Sequence, residues 1–156
     1  METKVTKYLD ELNISYRLLP HKKPVYTCEE AAKERKVPLD EMIKCILLAD
    51  KDKKYILACC PADKRVDLDK IRATLNCKRL SFASEKEIEK VTGHKLGAVP
   101  PLLIKENIIV IFDNSVSEKE KVNISSGDHL AGIELKTKDL LKIAKPIIAD
   151  IIQNEP

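Results

Sequence analysis

A chain of 156 residues, net charge +3, with 34% charged and 44% hydrophobic residues, has the balance of one ordinary α/β-sized domain. Dedicated nucleic-acid binders are more basic, and no apolar run approaches the roughly 20 residues that a membrane helix needs. Met1-Glu2-Thr3-Lys4-Val5-Thr6-Lys7 lacks the apolar stretch of a secretion signal, and five cysteines without disulfide spacing read as reduced side chains. A cytoplasmic chain without metal or organic cofactor is therefore expected, since there is no paired Cys-x-x-Cys and the three histidines are scattered.

Val5, Leu9 and Leu12 share one helical face, so residues 3–13 read as an amphipathic helix. Ser15 to Leu19 reads as a short strand. Thr27 with Glu30 three residues on makes a capping box for a helix that runs to Lys36 and stops before Pro38. The apolar runs 42–49 and 54–60, joined by Asp50-Lys51-Asp52-Lys53, read as a hairpin. Leu68, Ile71 and Leu75 give the next helix its apolar face, and Leu80 to Ala83 a short strand. Ser84 and Glu87 form a second capping box, on a helix closed by Gly93. Strands are expected over 107–113, 122–125 and 132–136. Thr137 opens a final helix, kinked or divided at Pro146, whose apolar positions run through Ile147, Ile148, Ile151 and Ile152. Helices alternating with hairpins give a single α/β (α+β) domain over residues 1–156 with a mixed sheet.

Four places could carry chemistry. Lys44 is a lone ammonium in the apolar run Met42-Ile43-Lys44-Cys45-Ile46-Leu47-Leu48. Burying it is costly unless a phosphate or polarised carbonyl meets it; otherwise its head reaches water at the strand end. Gly97-Ala98-Val99-Pro100-Pro101 joins a permissive residue to two that fix φ, so it reads as a stiff loop offering backbone groups to a ligand, or as a plain turn. Ser125-Ser126-Gly127-Asp128-His129 offers small hydroxyls between strands, or an ordinary hairpin. His21 is a base or hydrogen-bond donor, or an idle exposed loop residue. The lysines at 51, 53, 54 and 64 and Arg65 are interleaved with Asp50, Asp52 and Asp63, which suits a solvated surface. No Ser-His-Asp signature, Walker loop or dinucleotide fingerprint is present.

In order, His21 with Pro24, Thr27-Cys28-Glu29-Glu30-Ala31-Ala32, Ile43-Lys44-Cys45-Ile46-Leu47-Leu48, Cys60-Pro61-Ala62-Asp63, Val91-Thr92-Gly93, Gly97-Ala98-Val99-Pro100-Pro101, Ile111-Phe112-Asp113 and Ser126-Gly127 before Ile133-Glu134-Leu135 resemble the free-standing aminoacyl-tRNA deacylases of the YbaK/EbsC group. That group is similar to the editing domain inserted in bacterial prolyl-tRNA synthetases. The resemblance spans residues 2–145. It implies a mixed, strongly curved sheet and hydrolysis of the ester that joins a mischarged amino acid to tRNA, with tRNA for proline carrying alanine, cysteine or serine as the expected substrate. Lys44 matches the family's characteristic lysine, which engages the terminal adenosine or its phosphate. Gly97, Ala98 and Pro101 match the G-x-x-x-P loop that shapes the pocket and places water. His21, Thr27, Val99, Pro100, Ser126 and Gly127 are the implied substrate contacts. Backbone groups, bound water and the substrate's own groups carry the chemistry in such proteins, with no metal or cofactor. The implied partner is the acceptor end of aminoacyl-tRNA; a synthetase is the partner under the alternative of an accessory module, and a monomer is expected because no exposed apolar stripe is left over.

Departures also stand out. Cys45 follows the lysine where Thr or Ser is usual. Cysteine-specific members carry a tyrosine near Leu19-Pro20-His21 and an aspartate at the place of Gly132, and neither is present. The identity of the edited amino acid stays open. So does a non-catalytic tRNA-binding or synthetase-associated module of the same fold.

Overall fold

The structure, a computed structural model, describes residues 1–154. Helix α1 (Lys4–Glu11) starts at a capping box on Thr3 and leads into strand β1 (Tyr16–Pro20). Helix α2 (Cys28–Arg35) is capped by the Thr27 hydroxyl, which accepts from the Glu30 N–H, and it ends on Lys36 in the left-handed region. Strands β2 (Ile43–Asp50) and β3 (Tyr55–Pro61) form the expected hairpin, and Lys44 stands opposite Cys60. Helix α3 (Leu68–Leu75), strand β4 (Leu80–Phe82) and helix α4 (Glu85–Thr92) follow. The α4 capping box is complete. Hydrogen bonds from the Ser84 N–H and the Tyr55 hydroxyl pull the Glu87 carboxyl down to about 2. Strand β5 (Ile109–Asp113), the short helix α5 (Asn114–Ser117), strands β6 (Lys121–Asp128) and β7 (Ala131–Lys136), helix α6 (Thr137–Ala144) and strand β8 (Ile147–Ala149) complete the order.

The expected mixed sheet is present and divides in two. One part is antiparallel, in the order β1-β7-β6; the other is mixed, in the order β4-β2-β3-β5-β8. A bridge between Met42 and Asn123 links them. The main core lies between the two sheets and gathers Leu9, Leu47, Leu57, Phe112, Ile124, Ile133 and Leu140. Alternate residues of the same strands, Leu48, Ile56, Ala58 and Ile111, face a second core closed by Ile71 and Ile151. The five-stranded sheet is thus covered on both faces, which is why β2 and β3 read as continuous apolar runs. A third cluster, Val25, Ala31, Ala32, Met42 and Ala62, seats α2 against the junction of the two sheets.

The C-terminal expectation is overturned. The final helix stops at Ala144; Lys145 takes φ 47° as its cap, and Pro146 has no N–H to continue the ladder. Ile147 to Ala149 pair in parallel with Ile111 to Asp113, and Ile152 bridges to Val66. Those isoleucines extend the sheet and fill its second core, and none of them belongs to a helix. The strand expected from 107 begins at Ile109, and the 122–125 strand extends to Asp128 through a bulge.

Candidate active site

Four segments enclose a cavity of about 330 Å³. The first runs from His21 into α2 and contributes Tyr26, Thr27, Cys28 and Arg35. The second is the start of β2, where Lys44 lies between Ile43 and Cys45. Gly97 and Val99 come from the loop after α4. Ser125, Asp128 and His129 come from the end of β6 and the turn beyond it. Apolar side chains from Val25, Met42, Ile46 and Ala62 fill the remaining wall, so a few polar groups act in a mostly apolar space.

Lys44 is half-buried and makes no ion pair among the described residues. The two thiols that feel its charge are nonetheless held protonated. Burial raises Cys28 to about 11 and Cys60 to about 12, with Lys44 opposing both shifts. Cys59 is fully buried, and its thiol sits 3.4 Å from that of Cys45 across the hairpin. Burial thus keeps the Cys28, Cys59 and Cys60 thiols from being poised as thiolate nucleophiles near neutral pH.

His21 is buried (8% exposed), not an exposed loop residue, and both its ring nitrogens are engaged. Nδ1 lies 2.7 Å from the His129 carbonyl, which can only accept, so the ring donates there. Arg35 Nε donates to His21 Nε2 at 3.0 Å. The ring is thereby fixed neutral in one tautomer, and burial together with the Arg35 charge lowers its pKa. His21 accordingly holds the wall rather than offering a free base. The His129 carbonyl also accepts from the Val25 N–H at 3.1 Å. The His129 ring stacks at a tilt on Tyr26, centroids 4.7 Å apart, and its Nε2 donates to the Leu96 carbonyl at 3.1 Å. With Nε2 as donor, the Nδ1 of a neutral His129 ring is left as an acceptor.

The proline loop is only partly what its composition suggests. Gly97 is exposed, whereas Ala98, Val99, Pro100 and Pro101 are buried. Of the loop's expected site residues, Gly97 and Val99 line the cavity; Ala98, Pro100 and Pro101 do not. Ser126 turns away, donating at 2.6 Å to the Ala131 carbonyl, and Ser125 takes the place on the wall. Gly127 lies against the His94 ring rather than in the cavity. Thr27 is present, but its hydroxyl already caps α2. Lys44, His21, Thr27, Gly97 and Val99 are thus brought together, and the other five are not.

The model of the aminoacyl-tRNA editing domain matches residues 22–143. The chain belongs to the aminoacyl-tRNA editing domain family. It is similar to the prolyl-tRNA editing protein ProX of Acetoanaerobium sticklandii, 33% identical over 142 residues that cover 88% of this chain and 86% of that protein. It is also similar to the multifunctional Ser/Thr-tRNA deacylase ProXp-y of Escherichia coli K12, 27% identical over 142 residues, covering 88% and 84%. Among solved structures, the crystal structure of hypothetical protein APE2540 superposes with a TM-score of 0.88 at 26% identity, covering 96% of this chain and 99% of that one.

Sequence reasoning missed two of the editing domain's wall residues here. Tyr26 precedes the α2 cap and reads as a loop aromatic. Arg35 sits in the last turn of α2, where a basic residue ordinarily complements the helix dipole in solvent. The signal that could have found it is Gly132, a lone glycine inside a strand, which marks a close approach. A Cβ at that position would overlap Cζ, Nε and Nη2 of Arg35. No helix of the described residues is long and apolar enough to cross a membrane.

Proposed function

We propose that this chain is a trans-editing hydrolase that removes a small non-cognate amino acid from tRNA, with tRNA for proline as its substrate. The observation that carries the reading is a Lys44 ammonium without an ion pair among the described residues, on the wall of the same mostly apolar cavity as the Gly97 backbone. In this reading Lys44 receives the phosphate or ring of the terminal nucleotide, and Gly97 and Val99 shape the acyl pocket. A water held in the cavity attacks the ester carbonyl; the C–O bond to the ribose breaks, and the 3′-oxygen leaves with a proton. Fixed dipoles placed where charge develops then supply the rate, with proximity as the second contribution. His129 Nδ1 is an acceptor available to such a water. His21 orients the loop that carries His129, and Ala98, Pro100, Pro101, Ser126 and Gly127 support the wall from behind. The relatives named for prolyl-tRNA editing and for Ser/Thr-tRNA deacylation support this assignment. The same reading makes the chain one editing domain, cytoplasmic and monomeric, acting on the acceptor end of aminoacyl-tRNA, with a synthetase as docking partner.

The test is a deacylation panel: tRNA for proline charged with proline, alanine, cysteine or serine, with Lys44→Ala alongside. Selective loss of a non-cognate ester, abolished in the variant, is the expected result. Buffer-level rates on every ester with retained tRNA affinity would replace the hydrolase by a tRNA-binding module.

A further inference from the structure

Arg35 has no task in the reaction as described, yet the fold makes room for it at two costs. The guanidinium lines the cavity and pairs with no carboxylate among the described residues, which is expensive for a mostly buried cation. It also demands Gly132, in the central strand of the three-stranded sheet, paired with Leu19 on one side and Ser125 on the other. A glycine there weakens the strand. A guanidinium has five N–H donors and no acceptor. Nε is spent on His21. Nη1 makes only long contacts, 3.4 Å to the Ile124 carbonyl and 3.6 Å to the Met42 sulfur, and Nη2 has no hydrogen bond among the described residues. A donor fork with spare capacity on the cavity wall calls for an oxygen on the ligand.

We propose that Arg35, lodged over Gly132, is the specificity-determining residue of this cavity and donates to a side-chain oxygen of the acyl group, so that seryl and threonyl esters are taken ahead of alkyl esters of similar size. This inference rests on the deacylase reading and deepens it. A hydroxyl suits the site better than a carboxylate, because Asp128 and Glu29 line the same cavity and would oppose a further negative charge. A site built to hydrogen-bond a substrate hydroxyl rejects the analogue lacking it, since its buried donors are then left unpaired.

The experiment compares kcat/KM for seryl and alanyl esters on the same tRNA in the wild type, Arg35→Met, Arg35→Lys and Gly132→Ala, with circular dichroism to check folding. Binding of the non-hydrolysable 3′-seryl-amide and 3′-alanyl-amide of 3′-amino-3′-deoxyadenosine is measured in parallel. The wild type is expected to favour serine. The serine-to-alanine ratio should fall roughly ten- to a hundredfold in Arg35→Met, with partial rescue by lysine. Gly132→Ala, which displaces the guanidinium, should move the ratio the same way and keeps the question answerable if Arg35→Met does not fold. An unchanged ratio, or equal slowing of both esters, would reduce Arg35 to a support for His21 and overturn the proposal. Preference for an aspartyl ester would overturn it too. Absence of hydrolysis with the serine preference still present in amide binding, and lost in Arg35→Met, would sink the deacylase reading and leave Arg35 its role.

Discussion

Gly97 meets Tyr26 backbone to backbone: a Cβ at position 97 would collide with the Tyr26 carbonyl oxygen, and its φ of 85° is closed to most side chains. Gly97→Ala must therefore shift the loop, and with it the Leu96 carbonyl that receives His129. A displacement of about 1 Å in such a wall costs roughly 100-fold in rate. Single-turnover deacylation should show that loss while far-UV circular dichroism stays that of the wild type.

Lys44→Ala should lower kcat/KM by on the order of 100-fold, as loss of one placed charge does. If the ammonium meets a phosphate, the salt dependence of tRNA binding should also flatten by about one unit of slope. Filter binding between low and moderate salt reads this directly. An unchanged slope would put Lys44 on the base or the carbonyl instead.

The buried His21 sets a pH dependence. Burial first, and then the Arg35 charge, lower its pKa below 6.5, against the His129 carbonyl, Glu34 and Asp128, which raise it. The unfolded chain titrates near 6.5 and takes up the proton first, so the stability tied to neutral His21 is complete above that pH and lost as pH falls through the folded value. Urea midpoints should thus be flat above about pH 6.5 and decline towards pH 5. His21→Gln, whose amide can accept from Arg35 and donate to His129, should shrink that decline. His94, also lowered by burial, supplies the part that remains.

Asp113 ties the end of the chain to the sheet. Its carboxylate accepts from the Ile151 N–H and the Ser115 N–H, both at 2.9 Å, while the residue is 2% exposed. Asp113→Ala leaves both donors without this partner and should cost about 2–4 kcal/mol. Equilibrium urea unfolding measures it, and a cost under about 0.5 kcal/mol would mean that water replaces the carboxylate.

Local signals were legible in the amino-acid sequence where the physics is local. Thr27 with Glu30 and Ser84 with Glu87 announce their helices because a cap needs only neighbours, and the Asp50–Lys53 turn announces its hairpin. Lys44 could be singled out because its neighbours are all apolar. The stretch after Pro146 misled, since isoleucines at 147, 148, 151 and 152 suit a helical face as well as a short strand, and the choice falls to β5 and Val66, distant in sequence. Arg35 was hidden for the same reason. Nothing near it in the chain distinguishes it from a solvent-facing helix end, and the space it fills is left by Gly132.

Two cavity residues lean on the pairing of β1 with β7, His21 directly after β1 and Arg35 over Gly132 of β7, and in that pairing Arg17 reaches Glu134 across 117 residues of chain. Bringing such distant segments together is slow compared with forming a helix or the β2–β3 hairpin. During refolding, helical signal should therefore recover first and ester hydrolysis last. Catalytic competence would then report on the final step of assembly, and fragments that keep most of the helices would be catalytically silent.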